Sequence, residues 1–239
     1  RARETELAAY RAFKGEQGQV SREDILMMFN RLSSLYWIMM FRYLTGAYED
    51  RNLVEVEASG RHVHLSPGDV ERLFGQGYQL TRVRELSQPG QFVCQERISV
   101  SGPKGTLKNV VVLGPERSKT QVEVSFTDGL TLGIKPPVRQ SGDIQESPGA
   151  VLSFGEKEIS IDQGVIVAKR HMHVAAADAE RLQVKDNEIV NIEVMGSRPV
   201  IFKDTVVRVS EKYATYVHID YDEANACGFE KGISCRIVR

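Results

Sequence analysis

The 239-residue chain reads as mainly β with short helices: two similar small β-barrel domains from an internal duplication, preceded by an N-terminal helical extension. Three features carry that reading. Past residue 50 the chain is a succession of short, β-branched runs bounded by Gly, Pro, Asp and Ser, the pattern of small barrels. The stretch RHVHLSPGDVERL at 61–73 returns as RHMHVAAADAERL at 170–182. A polar, Pro- and Gly-rich stretch, PPVRQSGDIQESPGA at 136–150, lies between the two copies.

Taken in order, ETELAAYRAF is short and helical in pattern, and KGEQGQ after it is linker-like. The next segment, 25–48, predicts a helix with Ser21 as N-cap, Asp24 three residues on and Gly46 near the stop. It is apolar on most of its surface, which predicts packing on the barrels or across a homodimer. Arg31 and Arg42 interrupt it, so no run reaches the ~20 clean apolar residues of a membrane span. Strands are expected from NLVEVEAS, QERISVSG, LKNVVVLG, TQVEVSF and LTLGI, then from GAVLSFGEKEISI, GVIVAKRH, EIVNIEVMG, PVIFKDTVVRVS and YATYVHIDY. A helical turn follows each His-x-His, in SPGDVERLFG and AAADAERL. The divisions are 1–50 for the extension, 51–140 for the first barrel and 141–239 for the second.

Composition narrows the function. Hydrophobic residues are 41% and charged residues 26%, an ordinary globular balance. A net charge of -1 gives no global field for nucleic acid. Three cysteines are too few and odd for a disulfide framework, so the compartment is read as reducing and Cys94 and Cys227 as packing residues. No basic-then-apolar signal segment is visible.

The repeat carries the chemistry. Laid one on the other, the halves place Glu123 opposite His218 and Arg117 opposite Lys212. Each half then offers a His-x-His and one further metal-capable residue: His62, His64 and Glu123, and His171, His173 and His218. All five histidines of the chain are used. In a strand, residues i and i+2 point to one side, ~7 Å apart, and two imidazoles there can converge on one ion. Three ligands and an open position is the pattern of catalytic zinc, although imidazole also suits copper, nickel and iron. One His-x-His alone is a weak signal, and Glu123 alone reads as a surface carboxylate. The duplicated frame is what distinguishes them. Arg61 and Arg170 read as solvated or as anion holders beside the metals, and Asp69, Glu71, Asp178 and Glu180 as exposed helix faces.

The segments RHVHLSPGDVERLFG, LGPERSKTQVEVS, KRHMHV and YVHIDYDEANA, in that order, resemble the phosphate propanoyltransferases, the phosphotransacylases associated with bacterial microcompartments. The resemblance covers the chain from about Leu53 onward. It implies two β-barrel domains and two zinc ions per chain, with acyl-CoA and phosphate converted reversibly to acyl phosphate and CoA. One zinc falls on His62, His64 and Glu123, the other on His171, His173 and His218, and the phosphate-contacting arginine falls on Arg117. The acyl group is propanoyl or acetyl. Lys104, Lys108, Lys119, Lys169 and Arg170 are available to the phosphates of CoA. The resemblance further implies a place in the bacterial cytoplasm inside a microcompartment, reached through an N-terminal peptide that binds shell or core proteins, with 1–18 the better candidate. Two other classes use the same ligands: a zinc-dependent hydrolase, and a structural zinc-binding protein without catalysis.

Overall fold

The computed structural model describes residues 2–16, 19–44 and 52–239. The chain forms two units, 1–51 and 52–239.

In the first unit, α1 (Ala2–Phe13) and α2 (Glu23–Leu44) pack on one another, with Asn30 Nδ2 donating to Glu6 Oε1 at 3.0 Å. Ser21 does not cap α2. Its hydroxyl donates to the Phe13 carbonyl instead, and the helix starts at Glu23. The expected end of this helix, 45–48, and part of the linker, 17–18, lie outside the described residues. No described helix is long and apolar enough to cross a membrane. Much of the apolar surface of α2 is exposed, with Trp37 at 64% and Phe41 at 55%.

The second unit opens with β1 (Val54–Ala58), β2 (His62–His64), α3 (Pro67–Phe74), β3 (Arg82–Glu85) and β4 (Phe92–Ser101). There follow β5 (Thr106–Gly114), β6 (Gln121–Glu123), α4 (Phe126–Leu132) and β7 (Val138–Arg139). Then come β8 (Ala150–Phe154), β9 (Lys157–Ile161), β10 (Val165–Ala168), β11 (His171–Ala175) and α5 (Ala179–Leu182). The chain closes with β12 (Ile189–Val194), β13 (Val200–Ser210), β14 (Tyr216–Ile219), α6 (Tyr221–Cys227) and β15 (Ser234–Val238). The expected strand LTLGI is not a strand. Ser125 and Asp128 form a capping box and Gly133 ends the turn in the left-handed region at φ 77°, so FTDGLTL is helical. Local cap chemistry overrides the β-branched composition there.

Six strands, in the order β1-β14-β11-β13-β12-β15, close a barrel. The run β10-β6-β2-β5-β4-β8 repeats that order and the same parallel and antiparallel senses, but its ends do not pair. The free edge of β8 is taken by β9 in a hairpin, and that of β10 by β7, so of the two expected barrels one is closed and this one is an open half-barrel sheet.

The strand that precedes each His-x-His belongs to the opposite half. β1 closes the C-terminal barrel, pairing with β14 and β15, while β8, β9 and β10 complete the N-terminal sheet. The cores follow the same exchange. Val54 and Val56 pack with Met172, Ile192 and Val217, whereas Leu152, Ile159 and Val165 pack with Val63, Val112 and Val122. The polar stretch at 136–150 is therefore not where the chain passes between halves. It passes at 59–61 and at 169–170, in two short connections beside the histidines. At Gly60 the passage is tight: a Cβ would lie 2.6 Å from the Tyr221 ring.

Candidate active site

Strand register sets the geometry. In the first half β2 runs antiparallel to β6 with His62 opposite Glu123. In the second, β11 runs antiparallel to β14 with His171 opposite His218. The third residue of each set is thus one strand over from the first histidine, and the next-but-one histidine returns to the same face. The donor atoms of His62, His64 and Glu123 lie within 4.8 Å of one another, as do those of His171, His173 and His218. His62 Nε2 is 3.4 Å from Glu123 Oε2. The three rings of the second set have centroids 4.7 to 5.1 Å apart.

The outer contacts fix which nitrogen faces inward. His62 Nδ1 donates to the Gly60 carbonyl at 2.8 Å and His171 Nδ1 to the Lys169 carbonyl at 2.9 Å, leaving each Nε2 as the acceptor. Both carbonyls belong to the passages between halves. His64 Nδ1 and His173 Nδ1 are buried without a hydrogen-bond partner. A buried imidazole nitrogen left so is costly, and a metal cation is the partner its lone pair suits. Glu123 Oε1 accepts from Gln121 Nε2 and from Ser141 Oγ, both at 2.6 Å, which leaves Oε2 for the centre. A Glu57 oxygen, from β1 of the exchanged segment, is 3.7 Å from His218 Nδ1.

The protonation states point the same way. Burial, then His62 and Arg117, push His64 well below the ordinary imidazole value. Burial lowers His171. Burial, His171 and Arg208 lower His173 to about 3. Burial with His171 and His173 takes His218 well below its usual range. These rings are neutral at physiological pH, the form that binds metal. Burial opposes charge on Glu123 too, but His62, His64 and Ser141 hold it well below the usual carboxylate range. Burial also works against a charged His62, and Glu123 outweighs it and raises the ring. The carboxylate that favours a proton on His62 equally favours a metal cation at that nitrogen. Two imidazoles and a carboxylate in one cluster, and three imidazoles in the other, are donor sets that fit zinc.

Both clusters line one cavity of about 710 Å³. Arg117 enters it from the first half. Its backbone N–H donates to the Leu65 carbonyl at 2.9 Å and its Nη1 to Ser141 Oγ at 2.9 Å. One hydroxyl thus joins Arg117 to the Glu123 carboxylate. Lys212, its counterpart in the repeat, is exposed and not among the cavity-lining residues. Of the cations considered for CoA, Lys169 lines the cavity and is paired with Asp204 at 2.9 Å. Lys104, Lys108, Lys119 and Arg170 are not among its lining residues.

Several repeat residues have structural partners. Arg61 pairs with Asp128 at 2.8 Å and Arg170 with Glu223 at 2.6 Å, each carboxylate being the third-position residue of a helix capping box. Asp69 accepts from the Thr120 hydroxyl and Asp178 from that of Thr215, both at 2.5 Å. Those two aspartates, expected on exposed faces, instead pin the start of the strand that carries Glu123 in one half and His218 in the other. Sequence reasoning missed Gln121, Ser141, Arg208, Gln88 and Tyr213. Gln88 clamps the backbone at Ala214, and Tyr213 stacks on His173 at 4.3 Å. Arg208 is opposite His173 in the β11–β13 pair.

A family model described as phosphate propanoyltransferase matches residues 55–230. Among curated relatives, a "Phosphate propanoyltransferase" of Listeria monocytogenes is 60% identical over 186 residues, covering 78% of this chain and 87% of its own length. One from Enterococcus faecalis is 58% identical over 191 residues, 80% of this chain and 90% of its own. One from Thermotoga maritima is 50% identical over 184 residues, 77% and 88%.

Proposed function

The chain belongs to the phosphate propanoyltransferase family and is a phosphate acyltransferase; on that premise, we propose that it interconverts acyl-CoA and phosphate with acyl phosphate and CoA, propanoyl or acetyl being the group moved, at a two-zinc site. The supporting observation is that two three-donor clusters and a half-buried guanidinium, Arg117, line a single cavity. His62, His64 and Glu123 would hold one zinc, and His171, His173 and His218 the other.

Zinc there would supply Lewis acidity toward the thioester carbonyl oxygen and affinity for the thiolate of CoA. The residues of the chain do the remaining work. Arg117 binds phosphate through its forked donors and offsets its repulsion from other anions. Ser141 holds that guanidinium at a fixed offset from Glu123. The Gly60 and Lys169 carbonyls hold His62 and His171 in one tautomer. Holding a phosphate oxygen against the thioester carbon in one cavity would remove orientational entropy from the barrier. The new C–O bond forms as the C–S bond breaks and the thiolate leaves. The histidines are committed to the clusters and the three cysteines are buried, so direct attack by phosphate is favoured over an acyl-enzyme.

The enzyme acts in the bacterial cytoplasm, inside a microcompartment, with the N-terminal segment as its address and a homodimer as its assembly. The test combines elemental analysis with a CoA-release assay. Two zinc ions per chain and release that requires phosphate are expected. Release without phosphate identifies a hydrolase, and metal without acyl transfer identifies a structural zinc protein. His64→Ala and His173→Ala should each lose zinc and most turnover. Normal turnover with full metal in either variant would remove that histidine from the site.

A further inference from the structure

Among the cationic side chains that line the cavity, only Arg84 and Arg208 have no hydrogen bond or ion pair among the described residues, and Arg84 is exposed whereas Arg208 is half-buried. Arg61 is paired with Asp128, Lys169 with Asp204, and Arg97 spends its Nη1 on the carbonyls of Cys94, Gln95 and Glu96. Arg117 is held by Ser141. Arg208 is half-buried and lines the same cavity, and among the described residues no hydrogen bond or ion pair engages its guanidinium. Its strand position is not one that the fold fills with charge. β11 pairs His173 with Arg208. In the other half, β2 pairs His62 with Val111 and Val63 with Val112, so the next pair sets Leu113 opposite His64. A leucine serves where the arginine stands. A half-buried, unpaired guanidinium is costly to keep unless it meets an anion.

Arg117 and Arg208 come from opposite halves toward the space that both ligand clusters border. Their charges oppose one another: burial lowers Arg117, Glu123 works against that, and Arg208 adds to the lowering. Two guanidiniums bordering one cavity, that of Arg208 without a carboxylate partner among the described residues, invite a small anion with several oxygens.

We propose that Arg208 is a second arm of the inorganic phosphate site, grasping from the C-terminal half the tetrahedral oxyanion that Arg117 holds from the N-terminal half. This rests on the phosphate acyltransferase reading and deepens it. The site then selects for a tetrahedral anion with oxygens on two sides, and a planar carboxylate of equal charge engages one arm only. The assignment makes Arg208 a substrate-binding residue that phosphate discriminates and acyl-CoA does not.

The experiment uses the metal-loaded full chain. Arg208→Leu copies the residue already tolerated in the other half, and Arg208→Lys keeps the charge without the fork. Phosphate binding is read by calorimetry, and steady-state kinetics give separate KM values for phosphate and acyl-CoA. Arg208→Leu should weaken phosphate binding and raise its KM by roughly 10- to 100-fold, as for one lost charged hydrogen-bonding group. The acyl-CoA KM and zinc content should stay within about twofold, and Arg208→Lys should recover part of the loss. Unchanged phosphate affinity in Arg208→Leu overturns the proposal, as does an equal rise in both KM values. If Arg208→Leu fails to fold, an Arg208→Lys enzyme with wild-type phosphate affinity overturns it. Calorimetric binding of phosphate does not require turnover. An enzyme that releases CoA without phosphate therefore defeats the acyltransferase reading while the Arg208 measurement still stands on its own.

Discussion

Ser141 Oγ accepts from Arg117 and donates to Glu123, so one hydroxyl sets the offset between the proposed phosphate arm and a proposed metal ligand. Arg117→Ala is expected to cost about 2–4 kcal/mol of transition-state binding, the loss of one strong charged donor at a desolvated site. Kinetics should show this as a higher phosphate KM or lower turnover, and Arg117→Lys should rescue only in part because the fork is lost. Unchanged phosphate dependence in Arg117→Ala would exclude the role. The clustering of these six metal-capable side chains was legible because strand alternation and the duplication name the same residues twice. Ser141 and Gln121 were not, since their roles arise only when the 136–150 segment folds back on β6. The cysteines make a separate case. Burial raises Cys94 to about 11 and Cys235 to about 12. Both stay thiols at pH 8 and should resist a thiolate-selective reagent until the protein unfolds. Between their ordinary value of about 9 and these raised values the folded state binds more protons than the unfolded one. Stability should therefore fall as pH rises above about 9, which alkaline thermal melts would read. Rapid labelling of folded protein at pH 8 would contradict this placement.

At the level of elements, the two helices of the N-terminal unit are expected to serve different tasks. α1 is short, carries Glu4 in its first turn and Arg11 in its last, and is mostly exposed. α2 holds Met27, Leu35, Trp37, Ile38 and Phe41 at the surface, more apolar area than a lone soluble helix usually shows. Its apolar character was legible in the sequence, whereas its start was not, because Ser21 prefers the Phe13 carbonyl to the cap. The metal-capable residues and Arg117 all lie beyond residue 53, so neither helix should be needed for chemistry. Removing 1–18 should leave active enzyme that no longer enters compartments. Removing 1–48 should change the oligomeric state or cause aggregation, with α2 as the self-association surface. Light scattering on the two deletions, with a compartment-loading assay on the shorter one, separates the tasks. Loading that persists without 1–18 rejects the address, and an unchanged oligomer without 1–48 rejects the surface.

For the folded body as a whole, the exchange of β1 and β10 decides where the chemistry can sit. Each half reaches across to complete the other, and each passage lies within three residues of a His-x-His, so the two clusters are brought to one cavity by the same device that completes the sheets. The duplication was legible, but this exchange was not. Strand alternation reports which face is buried and says nothing of which sheet a strand joins. A cut at residue 140, where composition changes, therefore severs neither passage and separates the wrong strands. Fragment 141–239 would hold β11 to β15 without β1, leaving β14 and β15 with open edges and a core lacking Val54 and Val56. Fragment 52–140 would hold β2 to β6 without β8 and β10, leaving β4 and β6 open. Neither piece alone should melt cooperatively or bind zinc tightly. Mixed, they can exchange strands as in the intact chain, and should recover zinc binding and some phosphate-dependent CoA release, at a rate that depends on both concentrations. Calorimetric melts and zinc titrations of each fragment and of the mixture would show it. A cooperative melt for 141–239 by itself would mean that the barrel does not need β1, and that the halves are independent domains after all.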